Sequence, residues 1–138
     1  MNTNANRLCD LWNSLLLNHN IEIYSKELKG ISITEMKLLK LCYSHSEYKI
    51  KDYLQCLAIP NSTLSNMINR LVKKELIERT ITSGDLRSYG LQLTDFGRKA
   101  IANHLAQESQ LFEEMLTRLS PQEQEQFITL FAKLTEHK

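Results

Sequence analysis

Residues 60–93 read PNSTLSNMINRLVKKELIERTITSGDLRSYGLQL, and the fold turns on how that stretch is parsed. Leu64, Met67, Ile68, Leu71 and Val72 fall at i, i+3, i+4, i+7 and i+8, the spacing of one helix face. A helix from about Ser62 to Glu75 then leaves Ser62, Thr63, Ser65, Asn66, Asn69, Arg70 and Lys73 at or near its free side. Pro60 cannot continue a preceding helix, and Asn61 or Ser62 can cap the new one. Leu76 to Thr82 reads as a strand and Tyr89 to Leu93 as its return. Between them, Ser83-Gly84-Asp85 marks a tight turn.

Upstream, Lys51 to Leu57 reads as a short helix with Tyr53, Leu54 and Leu57 inward, after a very short strand at Tyr48 to Ile50. Met36, Leu38, Leu39, Leu41 and Cys42 make the preceding helix apolar almost all round, so it belongs at the centre. Ser32 or Thr34 can cap it, and Glu35 sits in its first turn, where a carboxylate suits the helix dipole. Residues 6–20 form an amphipathic helix on Leu8, Leu11, Trp12, Leu15 and Leu16. Helical character is expected to run on through Ile23, Tyr24 and Leu28 to Gly30. Downstream, Thr94 caps a long helix reaching about Leu119. Ser120-Pro121-Gln122-Glu123 then opens the last one, with a capping Ser, a Pro at the first helical position and a Glu placed to close a capping box.

The composition is that of an ordinary globular chain of 138 residues, 42% hydrophobic and 24% charged, consistent with one domain. Net charge is +1, but it is unevenly spread. Residues 49–93 hold seven basic side chains against four acidic, whereas residues 94–138 hold five against seven. Positive potential centred on the opening stretch suits a polyanion; scattered surface charge is the plainer alternative. No apolar run approaches the ~20 residues of a membrane span, and MNTNANRLCD shows no export signal, so the expected compartment is the cytoplasm, with no membrane partner. Cys9, Cys42 and Cys56 lack Cys-x-x-Cys spacing and are expected to be reduced thiols. The four histidines show no metal-ligand pattern. No phosphate loop, nucleophile motif or carboxylate pair stands out, so neither an enzyme nor a cofactor is expected.

Two helices joined by a short turn and followed by a hairpin describe a winged helix-turn-helix: mainly α, with a small β-hairpin wing. The second helix of such a pair lies in a DNA major groove. Ser and Thr hydroxyls can bind phosphate there, Asn66 and Asn69 can pair with adenine, and Arg70 can reach guanine or phosphate. Arg87, at the hairpin tip, can enter a minor groove, with Asp85 fixing its guanidinium or capping the turn. Each feature alone has a plainer reading, as a solvated helix face or an exposed ion pair; their adjacency is what favours DNA.

These residues resemble the MarR (multiple antibiotic resistance regulator) family of transcription factors over nearly the whole chain. The matching features are Thr34-x-x-x-x-Leu39, Ser62-Thr63-x-Ser65 through Arg70-Leu71, Leu76-Ile77-x-Arg79, Asp85-x-Arg87 and Leu93-Thr94-x-x-Gly97. The resemblance implies a homodimer with a winged-helix DNA-binding part at 33–93 and dimerisation helices at 1–30 and 94–138. It implies binding to a pseudo-palindromic operator, usually as a repressor, with release by a small ligand such as an aromatic acid or by thiol oxidation. Three positions depart from the pattern. Glu75 stands where the family commonly has Gly, and a left-handed backbone there would cost about 1 kcal/mol. The wing tip carries one arginine rather than two, and Gln55 replaces a common small Ala.

Cys9, on the first helix, is placed much as the reactive cysteine of peroxide-sensing members is, with Tyr24 as its candidate neighbour. The alternative is a small apolar residue on a dimerisation helix. Cys42 and Cys56 are both expected in the core. Apolar stripes on the first and last two helices exceed what one winged-helix body covers, which calls for a second chain or a bundle within one. A protein-interaction module that uses a winged helix without DNA is the competing functional reading.

Overall fold

The computed structural model describes residues 3–18, 26–81 and 89–136. The elements run α1 (Asn4–Asn18), a 3-10 turn (Lys26–Leu28), α2 (Ile33–Ser44), α3 (Ile50–Leu57), α4 (Asn61–Lys73), β1 (Ile77–Ile81), β2 (Tyr89–Leu93), α5 (Asp95–Leu116) and α6 (Pro121–Thr135). The expected class, mainly α with a two-stranded wing, is the observed one.

Sequence signals account for most element boundaries. Ser32 caps α2 and Glu35 closes the capping box, with Ser32 N–H donating to Glu35 Oε1 at 3.0 Å. Ser120 and Glu123 do the same for α6, with Pro121 at its first position. Thr94 caps α5 by accepting from Gly97 N–H at 2.9 Å. Gly30, at φ +84, ends the segment after the 3-10 turn. β1 and β2 pair antiparallel with Ile77 opposite Leu93 and Ile81 opposite Tyr89.

The core gathers Leu38 and Leu39 of α2, Tyr53 of α3, and Leu64, Ile68 and Leu71 of α4. Leu76, Ile77, Leu91 and Ile101 complete it. It therefore lies where the helix-turn-helix, the wing and the start of α5 meet. By contrast, none of the described side chains of α1 or α6 is buried.

Several expectations need correction. Tyr48 to Ile50 is not a strand: only the single bridge Lys49–Gly90 forms, and Ile50 already begins α3. Asp52 accepts from Lys49 N–H at 2.8 Å and so starts the helix early. Neither Asn61 nor Ser62 caps α4; Pro60 holds the cap position without a side-chain bond, and Asn61 is the first helical residue. α5 ends at Leu116 rather than Leu119, the chain turning at Thr117. Cys56 is exposed, not core. The inward face of α3 is set by Ile50, Tyr53, Leu54 and Leu57, and Cys56 falls about 100° from its centre at 3.6 residues per turn. Cys42 is buried as expected.

Candidate nucleic-acid interface

The site is built on α4. Leu64, Met67, Ile68 and Leu71 are buried against the core, which turns the remaining side chains outward. Ser62, Thr63, Asn66, Asn69, Arg70 and Lys73 are exposed, and Ser65 is half-buried. These seven expected residues thus share one helix, as the periodicity requires. Asp85 and Arg87, with the whole turn from Ser83 to Ser88, lie outside the described residues, as does Tyr24.

α4 ends in a Schellman arrangement. Leu76 N–H donates to Leu71 O at 3.1 Å and Glu75 N–H to Val72 O at 2.9 Å. Glu75 holds the left-handed position at φ +62, so the helix ends in the glycine-favouring state in spite of the substitution. The start of α5 is seated on the same corner. Thr94 N–H and its hydroxyl both donate to Leu76 O, and the hydroxyl also reaches Glu75 O. A side chain at Gly97 would run into the Leu76 carbonyl, so only glycine permits that approach. The spacing Leu93-Thr94-x-x-Gly97 is therefore the mechanical joint between the end of α4 and α5.

Two residues near the site were not singled out from the sequence as parts of it. Glu35 is only 1% exposed, and its Oε1 lies 3.5 Å from the Arg70 guanidinium. Arg79 of β1 donates to Asn69 Oδ1 and stacks over the Tyr89 ring at 5.8 Å. The Ser32-x-x-Glu35 spacing signals a cap, but nothing in it says that the carboxylate lies beside α4. Asn69 and Arg70, at the end of α4, are thus each tied to a neighbouring element. Ser62, Thr63, Asn66 and Lys73 make the crest between these ties.

Away from α4, Lys40 of α2 pairs with Glu108 of α5 at 3.0 Å. The buried His104 sits beside that pair, its Nε2 3.4 Å from Glu108. Burial, then the neighbouring Lys40 charge, push its pKa down. Burial pushes the Cys42 thiol up to about 11, which keeps it protonated and inert. Cys9 is exposed on α1, and Asn13 Nδ2 donates to its sulfur at 3.6 Å. A shallow groove of about 240 Å³ runs between α1 and the end of α5, lined by Leu11, Ser14, Leu15, Asn18, Met115 and Arg118. Among the described residues, no cluster of His, Cys, Asp or Glu could hold a metal, and no helix is long and apolar enough to cross a membrane.

A helix-turn-helix followed by a two-stranded wing defines a winged-helix protein. Residues 31–89 match the model of the MarR family. The chain is 27% identical over 130 residues to the HTH-type transcriptional regulator YwhA of Bacillus subtilis, covering 88% of this chain and 94% of that one. It is 28% identical over 112 residues to the HTH-type transcriptional repressor MdtR of Bacillus subtilis, covering 81% and 72%. Its fold matches the crystal structure of Streptococcus pneumoniae FabT in complex with DNA at a TM-score of 0.79, with 23% identity and coverage of 93% and 90%. Over residues 31–89 the chain is therefore similar to the MarR family, and with its HTH-type regulator relatives this makes it a DNA-binding transcriptional regulator.

Proposed function

We propose that this regulator is a homodimeric repressor acting in the cytoplasm on a pseudo-palindromic operator, released by a small ligand or by thiol oxidation. The observation that carries the reading is the crest of α4. Ser62, Thr63, Asn66 and Lys73 stand exposed on a helix that contains no acidic residue and is buried along its other side. Such a crest lets the helix backbone come close to DNA. The first-turn amides carry no side-chain cap among the described residues, which leaves them for a phosphate. Asn66 reads a base edge and Lys73 a phosphate. Ser65, Asn69 and Arg70 flank them, and Arg87 with Asp85 supplies the wing contact.

Exposed apolar side chains on α1 and α6, including Leu11, Trp12, Phe127, Ile128 and Phe131, support dimerisation through the terminal helices. In this division, 33–93 is the reader and 1–30 with 94–138 the dimerisation part. Two readers would then meet successive major grooves about 34 Å apart. Repression is favoured over activation by the likeness to MdtR, a repressor.

Operator selection with the purified protein tests this. Asn66→Ala should abolish preference at one position of each half-site, at a cost of about 1–3 kcal/mol. Arg87→Ala should weaken binding to all sequences and flatten the salt dependence. Binding that ignores salt and sequence would leave a protein-interaction module as the better reading. Repeating the binding with peroxide, and with aromatic acids, tests release. Cys9→Ser should remove the peroxide response if the thiol is the sensor.

A further inference from the structure

Glu35 is the buried charge that the capping box alone does not explain. Its Oε1 serves Ser32 N–H at 3.0 Å, completing the cap of α2, and the same oxygen faces Arg70 Nη1 at 3.5 Å. Its Oε2 is buried and accepts no hydrogen bond among the described residues. Arg70, on the flank of α4, keeps 57% of its side chain exposed. We infer that Glu35 is a specificity-determining positioning residue: its buried carboxylate beside Arg70 holds that guanidinium at the flank of α4 and withholds it from indiscriminate DNA phosphates.

The physical argument rests on what each partner loses on separation. A carboxylate left buried without its cation is strongly unfavourable, so a phosphate must offer more than water does to draw Arg70 away. Arg70 therefore adds little to sequence-independent attraction. Its guanidinium has five donors, and one contact with Glu35 leaves others for the DNA. A base edge presented at the right place can be read without breaking the pair, whereas loosely placed phosphates cannot be reached that way. Arg70 thus responds to geometry instead of to charge alone.

This inference rests on the DNA-binding reading above, and the experiment separates the two. Affinities of wild type, Glu35→Gln, Arg70→Ala and the double variant are measured across a salt series. The probes are a mixed-sequence duplex of about 30 bp and the duplex recovered by operator selection, long enough for two major-groove turns. Gln also closes a capping box, so Glu35→Gln keeps the α2 cap while removing the charge. With Arg70 released, Glu35→Gln should bind the mixed duplex more tightly. The log affinity against log salt should steepen by about 0.9 per protomer. Preference for the selected duplex should fall about tenfold.

In the Arg70→Ala background, Glu35→Gln should change neither quantity. Arg70→Ala alone should leave the mixed-duplex slope unchanged while weakening the selected duplex, and this arm stands even if Glu35→Gln fails to fold. The inference is overturned by Glu35→Gln with wild-type slope and preference, by an Arg70→Ala slope shallower by about 0.9, or by an effect of Glu35→Gln that persists without Arg70. Wild type that shows no salt-dependent affinity for any duplex overturns the DNA-binding reading, and the inference with it.

Discussion

Glu75 keeps a backbone state in which its own Cβ crowds the following carbonyl. The Schellman bonds at the end of α4 hold it there, so the chain accepts the strain instead of unwinding the helix. Glu75→Gly should raise unfolding free energy by about 1 kcal/mol, read from urea melts, while leaving the fold unchanged. Gly97 presents the opposite case, since its missing side chain makes room for the Leu76 carbonyl. Gly97→Ala should destabilise by about 2 kcal/mol or more, because backbone cannot move aside as a flexible side chain can. The first of these residues was legible in the sequence as a departure from a family pattern. The second was legible only as a motif, whose reason is a contact across the fold. Glu35 was half legible: its place in the first turn of α2 was plain, but nothing in the local pattern chose Ser32 over Thr34 as the cap or said that the carboxylate is buried beside Arg70.

Between elements, the seam of α2 and α5 is closed by Lys40–Glu108 and by Arg98 stacked over Tyr43 at 5.7 Å. His104 is buried in that seam, only 1% exposed. Its pKa is depressed in the fold, so the unfolded chain binds its proton first as pH falls. The stability it allows is full above the ordinary histidine value of about 6.5 and is lost as pH falls from there toward the lowered value. Thermal melts should be flat with pH above about 7 and decline below about 6.5, and His104→Gln should flatten that decline. Helix boundaries were readable where a cap or a breaker marks them, as at Ser32, Thr94 and Ser120. They were misjudged at Asn61, where Pro60 takes the cap position, and at Leu119, where Gln124 Nε2 of α6 donates to Leu116 O at 2.8 Å and to Leu119 O at 3.1 Å, a contact the local pattern does not reveal. The short α3 has too few residues for its pattern to separate inside from edge, which is why Cys56 was misassigned.

At the scale of the molecule, the well-packed reader contrasts with terminal helices that the single chain leaves uncovered. Their stripes were plain in the sequence, whereas their partner was not, because periodicity says that a face is apolar and not whose face meets it. Light scattering at micromolar concentration should give twice the chain mass. Leu130→Glu on α6 should shift it toward one chain by placing a charge in an apolar interface. The corner where Thr94 and Gly97 press on Leu76 acquires its meaning here. α5 spans 22 residues, so it reaches about 33 Å at 1.5 Å per residue. Treated as a rod pivoting on that corner, a swing of about 5° displaces its far end by about 3 Å, given that length. In the proposed dimer, a small torque where the two chains meet would thereby be delivered, with little slack, to the last turn of the helix proposed to face DNA.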